Sequence, residues 1–184
     1  HAYGSPKPEN ASVYFETVRK LIYKYAKPGK HYPVVSGEWG YSAIKGFTVE
    51  KQADYIARCY ISNLMNDIPL SIWYDWHDDG PDPNENEHHF GTVYQDFKEK
   101  PAYKAVKTLC SELKGFSFVQ RLNTKSDSDY LVLFKNKDKI CLVAWTTGDN
   151  NEISIPVDFN RASSTSIFGD KSTLEALGGQ ISVK

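Results

Sequence analysis

Cysteine is scarce in these 184 residues, with three in all, and methionine scarcer still, with one. A small, odd cysteine count cannot make a disulfide framework. Cys59 and Cys110 fall in segments with a helical pattern and Cys141 in an apolar strand, so three buried free thiols are expected. An excess of either charge is also missing. Twenty-two Lys+Arg stand against 23 Asp+Glu, a formal net charge of −1, which offers no electrostatic field for capturing nucleic acid. No apolar run approaches the roughly 18 residues of a membrane span. With 40% hydrophobic and 24% charged residues, the composition is that of a folded chain rather than a disordered or collagen-like one. Neither an initiator Met nor a charged-then-apolar signal region precedes His1, as expected of a processed chain or a fragment.

What is present falls into two textures. Residues 11–27 place Tyr14, Phe15, Val18, Leu21, Ile22 and Tyr25 on one face of a helix, closed by Pro28-Gly29. The triplet Asn10-Ala11-Ser12 fits a glycosylation acceptor, but it reads better as the start of that helix. Tyr32 to Ser36 is a short, β-branched run that predicts a buried strand ending at Gly37. Thr48 caps a second helix with Ala53, Ile56, Ala57, Tyr60, Ile61 and Leu64 on one side. A second apolar strand runs from Leu70 to Trp76. After a polar loop, Pro101 opens a third helix that reaches about Leu113 and stops at Gly115. Near-continuous apolar strands alternating with helices predict a parallel α/β arrangement.

Beyond Gly115 the pattern becomes that of short strands between polar turns. Residues 130–134, 140–145 and 153–157 are the clearest, with further candidates around 166–168, 173–176 and 180–183. The spacing predicts a small antiparallel β-sandwich over residues 116–184.

Chemistry concentrates at two strand ends. Ser36-Gly37-Glu38-Trp39-Gly40 puts a carboxylate at the carboxyl end of a buried strand, where it cannot serve an apolar core without partners. Ile72-Trp73-Tyr74-Asp75-Trp76 gathers two indoles, a phenol and a carboxylate. Aromatic faces stack on the C–H faces of sugar rings and carboxylates accept sugar hydroxyls, so this mixture suits a saccharide. Alternation along a strand separates Trp73 and Asp75 from Tyr74 and Trp76, without saying which pair faces a ligand. His1-Ala2-Tyr3 reads as the end of another strand, with His1 and Tyr3 on one side.

Taken in order, these segments resemble the C-terminal part of the retaining glycoside hydrolases of clan A, the (β/α)₈ enzymes that include families 5 and 39. His1-Ala2-Tyr3 is similar to the sixth-strand end, Ser36–Gly40 to the seventh and Ile72–Trp76 to the eighth. Asp78-Asp79-Gly80, Phe90-Gly91-Thr92-Val93 and Lys100-Pro101-Ala102-Tyr103 continue the likeness, which covers residues 1–115. A complete barrel of this kind needs about 250 residues. The resemblance therefore implies strands six to eight of a barrel plus a C-terminal β-sandwich, with an unpaired strand edge near residues 32–36 or 1–3.

The same resemblance implies a double displacement, in which Glu38 is the nucleophile and forms a glycosyl-enzyme that water hydrolyses. Tyr3 and His1 would hold Glu38 in its polar network, and Trp73 would underlie the sugar at the cleavage point. Trp39 or Trp76 would line neighbouring subsites, and Asp75 would contact a hydroxyl. The acid/base Glu of an Asn-Glu pair belongs to strand four and would precede His1. Asn84-Glu85, Asn86-Glu87 and Asn151-Glu152 do not occupy that place. The chain alone is thus expected to be inactive and to need the N-terminal half of its barrel. The implied partner is a β-linked oligo- or polysaccharide, with no nucleic acid, membrane, cofactor or metal, in an extracellular or periplasmic setting. Asp75, His77, Asp79 and Gly80 imitate half of a calcium loop, yet its twelfth position is Asn86 and no helices flank it, so a solvated loop is expected. The competing reading is a non-catalytic carbohydrate-binding module, which would keep the aromatic residues but gain nothing from Glu38.

Overall fold

The computed structural model describes residues 7–184, so His1 and Tyr3 lie outside the described residues. The chain divides into two compact units, His1–Leu109 and Cys110–Lys184.

In the first unit a 3₁₀ turn, Pro8–Ala11, leads into α1, Ser12–Tyr25. Of the apolar face predicted for this helix only Phe15 is buried, while Tyr14, Val18, Leu21 and Tyr25 are exposed. The amphipathic pattern is real, but among the described residues little covers it. The 3₁₀ turn is fastened instead by a bidentate pair, in which Arg58 donates to both carboxylate oxygens of Glu9 at 2.6 and 2.8 Å.

Two short strands follow, β1 (Ser36–Trp39) and β2 (Ser71–Trp73), paired in parallel with Ser36 opposite Ser71 and Trp39 opposite Trp73. Both are displaced or shortened relative to the runs 32–36 and 70–76. Residues 32–35 meet no described partner strand, and a strand exists only where its backbone finds a ladder. Between the strands lies α2 (Val49–Met65), whose first turn is capped by the Thr48 hydroxyl accepting from the Lys51 amide at 3.2 Å. Ala53, Ile56, Ala57 and Ile61 are buried as the periodicity requires, and Leu64 is exposed. The core joins Ala11, Phe15, Trp39, Cys59 and Ile68, with Val34, Tyr41 and Trp73 against it. The third helix, α3 (Pro101–Glu112), carries the junction of the two units.

The second unit is antiparallel throughout. β3 (Ser117–Leu122), β4 (Asp129–Asn136) and β5 (Lys139–Thr146) form a meander whose middle strand buries Leu131, Val132 and Phe134. β6 (Ile153–Pro156) pairs with β9 (Gln180–Val183), and β7 (Arg161–Thr165) with β8 (Lys171–Glu175). The candidate strand at 166–168 is a turn, closed by the Ser166 amide donating to the Asp170 carbonyl at 2.8 Å. The polar run Arg161–Thr165 before it forms the strand, because it finds a full ladder in β8. β3 carries no clear alternation and was not anticipated, since a register shift after Phe118 breaks its period. Cys59 is buried, Cys141 half-buried and Cys110 exposed, so the expectation of three buried thiols fails at Cys110, which lies on the outer side of α3. No described helix is long and apolar enough to cross a membrane.

Candidate active site at the carboxyl ends of two parallel strands

Glu38 is the third residue of β1 and half-buried, in a strand whose first and last residues, Ser36 and Trp39, are buried. One residue on, the backbone passes so close to the neighbouring strand end that a Cβ on Gly40 would lie 1.9 Å from the Tyr74 carbonyl oxygen. Only glycine permits that approach. The Tyr74 amide donates to the Trp39 carbonyl at 2.9 Å, and the peptide joining Tyr74 to Asp75 is cis. Glu38 and the Trp73–Trp76 segment are thereby held at the same end of adjacent strands.

The aromatic residues at this end divide by exposure. Trp39 is 2% exposed and belongs to the core, which removes its indole from the surface a subsite would need. Trp73 is half-buried against that core, and its indole N–H donates to the Phe90 carbonyl at 3.1 Å. Trp76 is 63% exposed. Because β2 ends at Trp73, strand alternation does not extend to Asp75 and Trp76.

Asp75 is half-buried, and its Oδ1 is sealed from solvent without a hydrogen-bond partner. Its pKa is pushed up to about 6, chiefly by burial and then by the charges of Asp79 and Asp78, against the opposing influence of His77. The Tyr74 hydroxyl donates to Glu87 at 3.1 Å, which pins the exposed loop back to the strand end.

Two fastenings beneath these residues were not foreseen. The Gln52 side-chain amide, fully buried on α2, donates to the carbonyls of Tyr41, His89 and Phe90 at 2.8, 3.0 and 3.2 Å. It ties the segment after β1 to the far side of the loop after β2. Lys100 and Asp78, 1% and 4% exposed, form an ion pair at 2.7 Å. The ammonium also donates to the Gly91 carbonyl at 2.9 Å, and the Gly91 amide donates to Asp78 at 2.9 Å. Burial lowers the Lys100 pKa, while Asp78 pulls it back up. A Cβ at Gly91 would stand 2.3 Å from the Asp78 amide nitrogen, so this crossing too requires glycine. The available signal was Asp78, Gly91 and Lys100 standing together in the likeness to clan A. Instead of a wholly solvated loop, residues 75–100 have a locked base and an exposed tip at 81–87.

The remaining candidates are dispersed. Asn84-Glu85 and Asn86-Glu87 lie in the exposed tip, and Asn151-Glu152 precedes β6 in the second unit. Among the described residues no group of three or more His, Cys, Asp or Glu is arranged to hold a metal ion. A groove of about 510 Å³ lined by Arg19, Ile22, Tyr23, Tyr32, Asp67 and Pro69 opens at the amino end of β1, opposite to Glu38. It plays no part in the strand-end site.

The fold has a known counterpart. The chain superposes with a TM-score of 0.81 on a family 39 glycoside hydrolase from the gut symbiont Bacteroides cellulosilyticus, at 24% sequence identity. The match covers 92% of this chain and 35% of that one, so the chain spans about a third of the enzyme it resembles. At that identity the likeness establishes a shared fold. No family model and no curated protein matches the sequence.

Proposed function

We propose that this chain is the closing part of a retaining glycoside hydrolase acting on a β-linked oligo- or polysaccharide, outside the cell or in the periplasm. In this reading residues 1–115 supply strands six to eight of a (β/α)₈ barrel and residues 116–184 a β-sandwich accessory domain. The observation that carries it is the half-buried Glu38 at the carboxyl end of a parallel strand, beside Trp73 and Asp75, on a fold shared with a family 39 enzyme.

The chemistry is a double displacement. The Glu38 carboxylate attacks the anomeric carbon as the glycosidic C–O bond breaks, and the leaving oxygen takes a proton from an acid outside this chain. A water deprotonated by that same group then attacks the anomeric carbon and restores the Glu38 carboxylate. Tyr3 and His1 keep the nucleophile ionised and aimed, Trp73 underlies the reacting sugar, and Asp75 accepts a hydroxyl.

In the intact protein, Glu38→Ala is expected to abolish hydrolysis of an aryl β-glycoside while the melting temperature stays nearly unchanged. Retained turnover would remove Glu38 as the nucleophile. The 184-residue chain alone is expected to give no turnover. The exposed Trp76 favours a second reading, saccharide binding without catalysis. An intact protein that binds glycans yet never hydrolyses them would decide for it.

A further inference from the structure

We propose that Gln52 is a positioning residue for the strand-end site, setting the Trp73 indole and the Asp75 backbone through the Phe90 carbonyl that all three share. The inference rests on the proposed function for one thing only, that Trp73 and Asp75 meet the sugar.

The Phe90 carbonyl is a crowded acceptor. It receives the Trp73 indole N–H at 3.1 Å, the Gln52 side-chain amide at 3.2 Å and the Asp75 backbone amide at 3.3 Å. A carbonyl oxygen offers two lone pairs, so where this one lies governs where each of the three donors can settle. Phe90 lies outside any strand, and no ladder fixes its backbone. The Asp78–Lys100 pair grips Gly91, one residue further on, through both its amide and its carbonyl. Gln52 grips the other side, at His89 and Phe90, where the Ala43 amide also donates to the His89 carbonyl at 3.0 Å.

A second hold reaches the indole by a different route. The same Gln52 nitrogen donates to the Tyr41 carbonyl at 2.8 Å, and the Tyr41 ring stands 6.2 Å from that of Trp73, inclined by 39°. Tyr41 is braced in turn by an edge contact with Tyr55 of α2, with ring centres 4.8 Å apart. One amide thus fastens both chain segments that meet the Trp73 indole, one through a hydrogen bond and one through a ring.

Gln52 sits in the first turn of α2, is 0% exposed and touches no ligand itself. Packing alone would be served by an apolar side chain. The amide instead carries an oxygen sealed from solvent without a hydrogen-bond partner among the described residues, a desolvation cost that a core does not require. The geometry imposed by its nitrogen is what offsets that cost.

The test is proton–nitrogen NMR of the full chain alongside thermal melts, with the Trp73 indole signal assigned by Trp73→Phe. In the parent, the Gln52 side-chain amide and the Trp73 indole should exchange slowly with deuterium; exchange at the rate of an open side chain would overturn the proposal. Gln52→Met keeps length and packing but removes the donor. It should speed exchange of the Trp73 indole about tenfold, the scale of one lost hydrogen bond, and move its signal, leaving the Trp145 indole unchanged. Gln52→His returns a ring N–H at similar reach and should bring exchange back to within about threefold of the parent. A lower melting temperature in Gln52→Met with the Trp73 signal unmoved would make Gln52 a packing residue only. Should Gln52→Met fail to fold, the parent exchange rates and Gln52→His decide. In the intact protein, Gln52→Met should lower kcat/KM for an aryl β-glycoside about tenfold, and an unchanged value would overturn the positioning role. An intact protein without turnover would remove the proposed function while leaving the NMR result standing, so the two readings fail by different signals.

Discussion

Around Trp76 the rings stand open on a loop whose base is locked by a buried charge pair, whereas on the three-stranded sheet the rings satisfy one another. There Tyr130 and Trp145 face each other across the β4–β5 ladder with centres 4.5 Å apart and planes 11° from parallel. The Arg121 guanidinium lies 3.7 Å from the Tyr130 ring centre and donates to the carbonyls of Asp127 and Asp129, each at 2.9 Å. Cross-strand stacking of this kind stabilises a sheet and leaves little face for a ligand. The two regions therefore separate what aromatic residues do for folding from what they do for recognition. In the sheet the rings themselves hold the structure together. In the loop a polar network holds the base, and the rings of Trp76 and Phe97 stay largely exposed.

The strongest way to break this contrast is to remove the lock. Lys100→Met leaves the Asp78 carboxylate buried without its partner and should cost about 3–5 kcal/mol, seen as a lower denaturation midpoint. Adding Asp78→Leu should recover much of the stability, since a buried pair replaced by apolar groups costs less than a pair half removed. A midpoint unchanged in the single variant would show that the loop base is held by something else.

The half-buried Asp75 carboxyl at the end of β2 gives the next effect. Asp75 is raised from 3.8 to about 6, so over that interval the folded state keeps a proton that the unfolded chain has released. Stability therefore falls as pH rises through roughly 4 to 6, and stays lower above it. Asp75→Asn removes that fall. Because Asp75 is only half-buried and partly screened, the gain above pH 6 should be about 1 kcal/mol rather than the full linkage value. Below pH 4 the melting temperatures of the two proteins should coincide, and a pH-independent difference would remove burial of the charge as its cause.

The smallest effect belongs to the sheet. Arg121→Ala should lower stability by about 0.5–1 kcal/mol through the lost ring contact and hydrogen bonds, seen as a lower denaturation midpoint. An unchanged midpoint would show that the sheet does not lean on this contact and would dissolve the contrast.

Periodicity made the helices and most strands legible, because α2 and β4 face one core and their apolar spacing has a single explanation. It misjudged α1, whose apolar face is genuine but little covered among the described residues. It also misplaced the first strands, since residues 32–35 have the composition of a strand and no described neighbour to pair with. Glu38, Trp73 and Asp75 stand out in the sequence because their chemistry is unusual at a strand end, and the structure puts Glu38 in β1, Trp73 at the end of β2 and Asp75 just beyond it. Trp39 lies in the core, and from sequence an indole reads the same in a core as in a subsite. Gln52 and Lys100 escaped notice for a different reason. Their importance lies in what they meet across long separations, which does not appear in local composition.

The division of the loop into an anchored base and an exposed tip has a consequence for how this protein can change. Between Asp82 and Glu85 the hydrogen bonds are short-range, such as the Asn84 amide to Asp82 at 2.9 Å and the Glu85 amide to the Asp82 carbonyl at 3.1 Å, whereas Asn86 and Glu87 are tied back by the hydroxyls of Ser42 and Tyr74. Length and sequence in that stretch can drift without touching the Asp78–Lys100 closure or the Gln52 grip. The tip is consequently the part of the loop open to variation, where new reach toward a longer or branched glycan can be acquired without renegotiating the foundation.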